Sequence, residues 1–141
     1  MSEEIKKGLL GIVVDETTIS HVVPELSALT YRGYKVQDLC DKCDFEEVAF
    51  LVLHGELPSK KQLKKFIKEE RSNRKLSKTI IKNIQQMPKN AHPMDVIRTC
   101  VSLMALEDKD TKDNSPKANM RKALRIFSQT PTAVAAYFRA R

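Results

Sequence analysis

The chain has 141 residues, 41% of them hydrophobic and 30% charged, with 4 glycines, 6 prolines and a formal net charge of +7. That apolar share can build one ordinary core and excludes wholesale disorder; the few glycines and prolines argue against a loop-rich or all-β fold, and no apolar run nears the ~20 residues that span a bilayer. The start, Met1-Ser-Glu-Glu-Ile5, has no apolar signal core. The expectation is therefore a cytoplasmic chain without a membrane segment, whose odd set of cysteines (Cys40, Cys43, Cys100) stays reduced.

Residues 8–19 place β-branched residues after a Gly8-Leu-Leu-Gly11 element and read as a short strand or hairpin. Residues 29–34, Leu-Thr-Tyr-Arg-Gly-Tyr, supply a second extended piece, with Gly33 providing a turn that bulkier residues resist. From Val36 the period becomes helical, with Val36, Leu39 and Cys40 on one side. Asp44-Phe-Glu-Glu47 is a capping-box pattern, and the helix it opens carries Phe45, Val48, Ala49, Leu51 and Val52 up to a stop at Gly55. Ser59-Lys-Lys-Gln62 is a second capping box, and Leu63, Phe66 and Ile67 form the stripe of the next helix. Residues 76–87 repeat the theme through Ile80, Ile81 and Ile84, and Pro88 ends it. Pro93 suits the first turn of a helix whose inward set is Ile97, Cys100, Val101 and Met104. Residues 107–117 read as a polar surface loop. Two helices follow, one over about 118–127 and one begun by Thr130-Pro131 with Val134, Tyr137 and Phe138 inward. The pattern is still apolar where the chain stops at Arg141, with no glycine cap, polar tail or proline, and this reads as a truncated frame.

The candidate chemistry is thin. Cys40-Asp-Lys-Cys43 has half the spacing of a zinc site but no second pair, and a redox motif of this type follows a strand rather than lying in a helix; the plainer reading puts Cys40 inward and Cys43 near the helix end. His21 in a polar loop, His54 beside a helix stop and His92 before Pro93 have no serine, cysteine or carboxylate at triad or metal spacing. No metal site and no catalytic residue is assigned. The basic run Lys60, Lys61, Lys64, Lys65, Lys68, Arg71, Arg74, Lys75 and Lys78 lies largely opposite the apolar stripe, as a solvated face does. Without interleaved aromatics or a helix-turn-helix, nucleic acid is not the expected partner. Gly8-Leu-Leu-Gly11 matches neither phosphate-loop spacing.

Six short elements in order carry a resemblance. Lys7-Gly-Leu-Leu-Gly-Ile-Val-Val-Asp-Glu-Thr17, Leu29-Thr-Tyr-Arg-Gly-Tyr34, Phe45-Glu-Glu-Val-Ala49, His54-Gly-Glu-Leu-Pro58, His92-Pro-Met94 and Thr130-Pro-Thr-Ala-Val-Ala135 together resemble the citrate synthase family, with the first sixty residues closer to 2-methylcitrate synthases and their citrate synthase relatives. The resemblance implies a mostly α fold: the N-terminal part of the all-helical citrate synthase fold, preceded by a short β hairpin-like element. On this reading residues 1–141 are an incomplete N-terminal segment of the large domain, lacking the rest of that domain and the small domain. The parent reaction it implies condenses an acyl-CoA with oxaloacetate and hydrolyses the thioester, in a homodimer, with no further cofactor. The family's catalytic aspartate and histidines lie downstream, so this chain alone is expected to be inactive. In some members a basic residue before the Gly-x-x-Gly element reaches a CoA phosphate, and Lys7 is the matching position; the alternative is an exposed terminal lysine. The rival to the whole reading is a free-standing helical binding module using the lysine-rich face.

Overall fold

A computed structural model describes Gly8, residues 11–26 and residues 28–141. It divides into two compact units, 1–58 and 59–141.

The first unit opens with a small antiparallel sheet in the order β1-β2-β3: β1 (Ser20–Val23), β2 (Ala28–Tyr31) and β3 (Tyr34–Lys35), with a 3₁₀ turn at Pro24–Leu26 between the first two. Ser20 faces Tyr31 and Val23 faces Ala28, while Tyr31 faces Tyr34 across the second turn. Among the described residues of 8–19 the expected strand is not there: Gly11 lies in a turn, residues 12–17 form no ladder, and the partner of 28–31 starts only at Ser20. β-Branched composition marked the neighbourhood, but a strand needs a partner, and the hairpin register selects Ser20–Val23. The turn at Gly33 is as expected. Arg32 (φ 49°) and Gly33 (φ 87°) both adopt left-handed backbone, the combination a tight two-residue hairpin turn requires. Arg32 anchors it by donating Nη1 to Thr18 Oγ1 at 2.6 Å and Nη2 to the Val52 carbonyl at 3.0 Å.

Helix α1 (Val36–Lys42) buries Leu39, and α2 (Phe45–His54) buries Phe50 and Leu51. Glu47 accepts from the Asp44 N–H at 2.8 Å, the reciprocal half of the expected capping box. Gly55, at φ 92°, closes α2 with its N–H on the Leu51 carbonyl at 2.8 Å. Two inward assignments fail. Cys40 is exposed, and Phe45 is 71% exposed whereas Phe50 is buried. Helix α2 is apolar nearly all round, so periodicity could not fix its rotation; Phe50 and Leu51 face inward, and Phe45 lies about half a turn away at the N-terminus.

The second unit contains α3 (Lys60–Asn73), α4 (Lys78–Gln86), α5 (Pro93–Glu107) and α6 (Pro116–Ala140). Ser59 and Gln62 form the expected box, with the Gln62 side chain accepting from the Ser59 N–H at 2.9 Å. Ser77 caps α4 by accepting from the Ile80 N–H at 3.1 Å, and Pro93 occupies the first turn of α5. Helices α3, α4 and α5 all pack on α6. Leu76, Ile80, Ile84, Val96, Cys100, Met104, Ala133 and Tyr137 form the core between α4, α5 and α6. On α5 the most buried set is Val96, Cys100 and Met104, with Ile97 and Val101 half-buried beside it.

The two helices expected after residue 117 are one. Helix α6 continues through Pro131. Proline removes one i−4 bond and ordinarily ends or kinks a helix. Here Thr130 Oγ1 donates to the Ile126 carbonyl at 2.7 Å and Ser128 Oγ to the Leu124 carbonyl at 2.8 Å, while Leu124, Ala133 and Tyr137 hold both halves inward. The inward set also changes: Tyr137 is buried, but Val134 is 43% and Phe138 75% exposed.

Candidate functional site

The residues singled out by sequence do not converge. His21 lies on β1 rather than in a loop, and is exposed. His54 ends α2 with its ring on Phe50, centroids 4.2 Å apart. His92 is the N-cap of α5, its Nδ1 accepting from the Met94 N–H at 3.2 Å. A ring nitrogen used as a cap is committed to a helix end, which accounts for a histidine before Pro93 on structural grounds. Cys40 is exposed on α1, Cys43 caps its C-terminus, and Cys100 sits in the second core, where burial pushes its thiol pKa up. Raised thiols are poor nucleophiles. No group of three or more His, Cys, Asp or Glu among the described residues could hold a metal ion. Lys7 lies outside the described residues.

The structure assembles instead a charge network that sequence reading passed over as a plain polar loop. Arg125 on α6 donates Nε to Asp108 Oδ2 at 2.7 Å, and Nη2 to Asp108 Oδ1 at 2.8 Å and to Asp110 Oδ2 at 2.7 Å. Arg121 holds Asp110 in a two-point contact at 3.0 and 2.9 Å. Its partners are separated by 11 to 17 residues, so no local spacing rule could reveal it. The Arg125 guanidinium lowers the carboxyl pKa of Asp108, and Arg121 followed by Arg125 holds that of Asp110 far below the usual carboxylate range. With all four charges satisfied among themselves, the network fixes the α5–α6 connection and offers no proton donor near neutral pH.

Beside it is a cleft of about 310 Å³ with Leu76, Ile80 and Met104 in its lining and Lys75, Glu107 and Gln129 among its polar residues. Ser77 Oγ donates to Glu107 at 2.9 Å across it, and the Gln129 amide donates to the Lys75 carbonyl at 3.4 Å. These bonds tie the start of α4 to α5 and α6. The Ser77 hydroxyl also accepts the Ile80 N–H as the α4 cap, and no third group orients Glu107 among the hydrogen bonds of the described residues, so this pair is a tie between helices rather than an activated nucleophile.

The described residues form a mostly helical fold with a small hairpin sheet at its N-terminal end. Comparison with known proteins gives that fold its family. The model of the family described as citrate synthase, C-terminal domain, matches residues 8–141. The chain is 48% identical over 138 residues to a 2-methylcitrate synthase of Mycobacterium tuberculosis, covering 98% of this chain and 35% of the relative. It is 48% identical over 137 residues to a citrate synthase of Mycolicibacterium smegmatis, covering 97% and 36%. The fold matches a crystal structure of citrate synthase from Thermotoga maritima with a TM-score of 0.83 at 31% identity, over 97% of this chain and 35% of that one. A Thermoplasma acidophilum citrate synthase, solved as a ternary complex with carboxymethyl coenzyme A and oxaloacetate, matches with a TM-score of 0.90 over 99% of this chain and 36% of that one, at 23% identity. The chain belongs to the citrate synthase family. It spans about 35% of the length of the curated relatives it matches.

Proposed function

We propose that this chain is the N-terminal scaffold segment of the large domain of a citrate or 2-methylcitrate synthase, whose full-length parent condenses an acyl-CoA with oxaloacetate and hydrolyses the thioester. The observation that carries the reading is the family match over residues 8–141 to relatives of both names. The N-terminal placement rests on the order of the motifs from Lys7-Gly-Leu-Leu-Gly11 to Thr130-Pro-Thr132. The segment by itself is inactive: its three histidines serve separate elements, and the one serine held by a carboxylate in the cleft, Ser77 with Glu107, is committed to the α4 cap. The parent works in the cytoplasm as a homodimer and requires no cofactor beyond its substrates. Lys7, just before the Gly-x-x-Gly element, contacts a phosphate of the CoA.

Exposed apolar side chains support the scaffold role. Met94 and Leu106 on α5, and Ile126, Val134 and Phe138 on α6, stand between 40% and 83% exposed. In a longer chain such side chains are covered by further elements or by a second subunit. The test measures release of free CoA thiol from acetyl-CoA or propionyl-CoA with oxaloacetate. The 141-residue chain releases none; turnover by this chain alone, abolished by substitution within it, contradicts the proposal.

A further inference from the structure

The basic face of α3 has no role in the reading above, and its geometry is well defined. Lys60, Lys61, Lys64, Lys65, Lys68 and Arg71 are all exposed. At 100° per residue they fall within an arc of about 140° along roughly 17 Å of helix. Leu63, Phe66, Ile67 and Glu70 occupy the other side, where α3 packs on α6. Glu70 is buried and held by Arg74 at 2.8 Å, so it does not neutralise the face, and Glu69 falls outside the arc. None of the six basic residues forms an ion pair among the described residues. The charge is also regional: residues 59–141 hold twenty Lys and Arg against seven Asp and Glu, whereas residues 1–58 hold five against eleven.

We propose that this face is a docking surface for the phosphate backbone of double-stranded nucleic acid, bound without regard to sequence. Duplex DNA presents one charge per ~1.7 Å of axis, so a 17 Å strip meets about ten phosphates, roughly half of them on the near side. Six flexible ammonium and guanidinium groups match that supply as point charges. The absence of interleaved aromatics and of a recognition helix, which set nucleic acid aside on sequence grounds, bears only on stacking and base readout, and backbone contact requires neither. The same features choose between partners. Phe66 is 5% exposed, beneath the face, so no ring is offered to the bases of a single strand. The apolar side of α3 is spent on α6, so none is left to enter a lipid interface.

The test is fluorescence anisotropy of the 141-residue chain with a labelled 20-base-pair duplex of arbitrary sequence between 50 and 200 mM salt. About six contacts give a log–log salt slope near −5, hence about a 10³-fold loss of affinity across that range. Replacing Lys61, Lys64 and Lys68 by glutamine halves the slope, to about −2.7. The matched triple Lys109→Gln, Lys112→Gln, Lys117→Gln removes the same charge from the α5–α6 connection and the start of α6, and leaves the slope near −5. Circular dichroism confirms that each variant is folded. The proposal is overturned by no binding at 50 mM salt, by equal losses in the two triples, by tighter binding to the single strand of the same sequence, or by tighter binding to a polyglutamate of equal charge.

Discussion

Removing the Tyr137 hydroxyl tests the packing of α6 at a single atom. Tyr137 is 5% exposed, and its Oη lies 2.8 Å from the Pro88 carbonyl and 3.3 Å from that of Ala91, tying α6 to the turn between α4 and α5. Tyr137→Phe keeps the ring and removes the donor. If the Pro88 carbonyl were left bare, the cost would approach the 1–3 kcal/mol of an unsatisfied buried group. It is not bare, because the Ala91 N–H also donates to it at 3.1 Å. The loss is therefore that of one neutral hydrogen bond, about 1 kcal/mol, or a fall of about 4–8 °C in the melting temperature of a unit this size. Thermal unfolding followed by the helical circular dichroism signal measures it, with Phe138→Leu, at a 75% exposed position, as the control expected to change little. A Tyr137→Phe melting temperature within 1 °C of the parent, with Phe138→Leu equally silent, would refute the claim that this hydroxyl pins α6 to the turn.

Three further outcomes follow from the same structure. Ile84 is 1% exposed in the second core, so Ile84→Ala is destabilising by about 2–4 kcal/mol in denaturant titration; a change under 1 kcal/mol would mean the core is not packed as described. Gly55 closes α2 at φ 92°, a conformation that disfavours a Cβ, so Gly55→Ala lowers stability by about 1 kcal/mol although nothing lies within 4 Å of the added carbon; a gain in stability would contradict the left-handed cap. Asp108 and Asp110 have folded pKa values depressed by Arg125 and Arg121. Their contribution is thus complete above the unfolded aspartate value near ~4 and is lost as pH falls from there through the folded values. Melting temperatures of Asp108→Asn/Asp110→Asn should accordingly fall less steeply than the parent's below about pH 4, and parallel acid limbs would count against the network.

What was legible in the sequence was what local chemistry decides. Ser59 with Gln62, Asp44 with Glu47, Gly55 and Pro93 each fixed a helix end, because capping depends on residues a turn apart. The apolar stripe of α3 was readable because its other side is almost wholly charged. Failures came where the deciding partner was distant. Nothing local shows that α6 can carry Pro131, since both halves are held by tertiary packing. Helix α2 lacks a polar side to orient it, which is why Phe45 and Phe50 were exchanged. The Arg125 network joins residues up to 17 apart across a loop. As for function, residues alone reached a helical scaffold, and only the ordered motifs reached a family.

The central claim is that this segment serves as the scaffold of a synthase, and a chimera tests it most directly. The matched stretch of the Mycobacterium tuberculosis 2-methylcitrate synthase, 48% identical over 138 residues, is replaced by this chain, and CoA release from propionyl-CoA and oxaloacetate is measured on the purified product. The account predicts a folded chimera whose turnover is of the same order as that of the unmodified enzyme, while this chain alone gives none. A chimera that folds and assembles normally yet shows no condensation would contradict it.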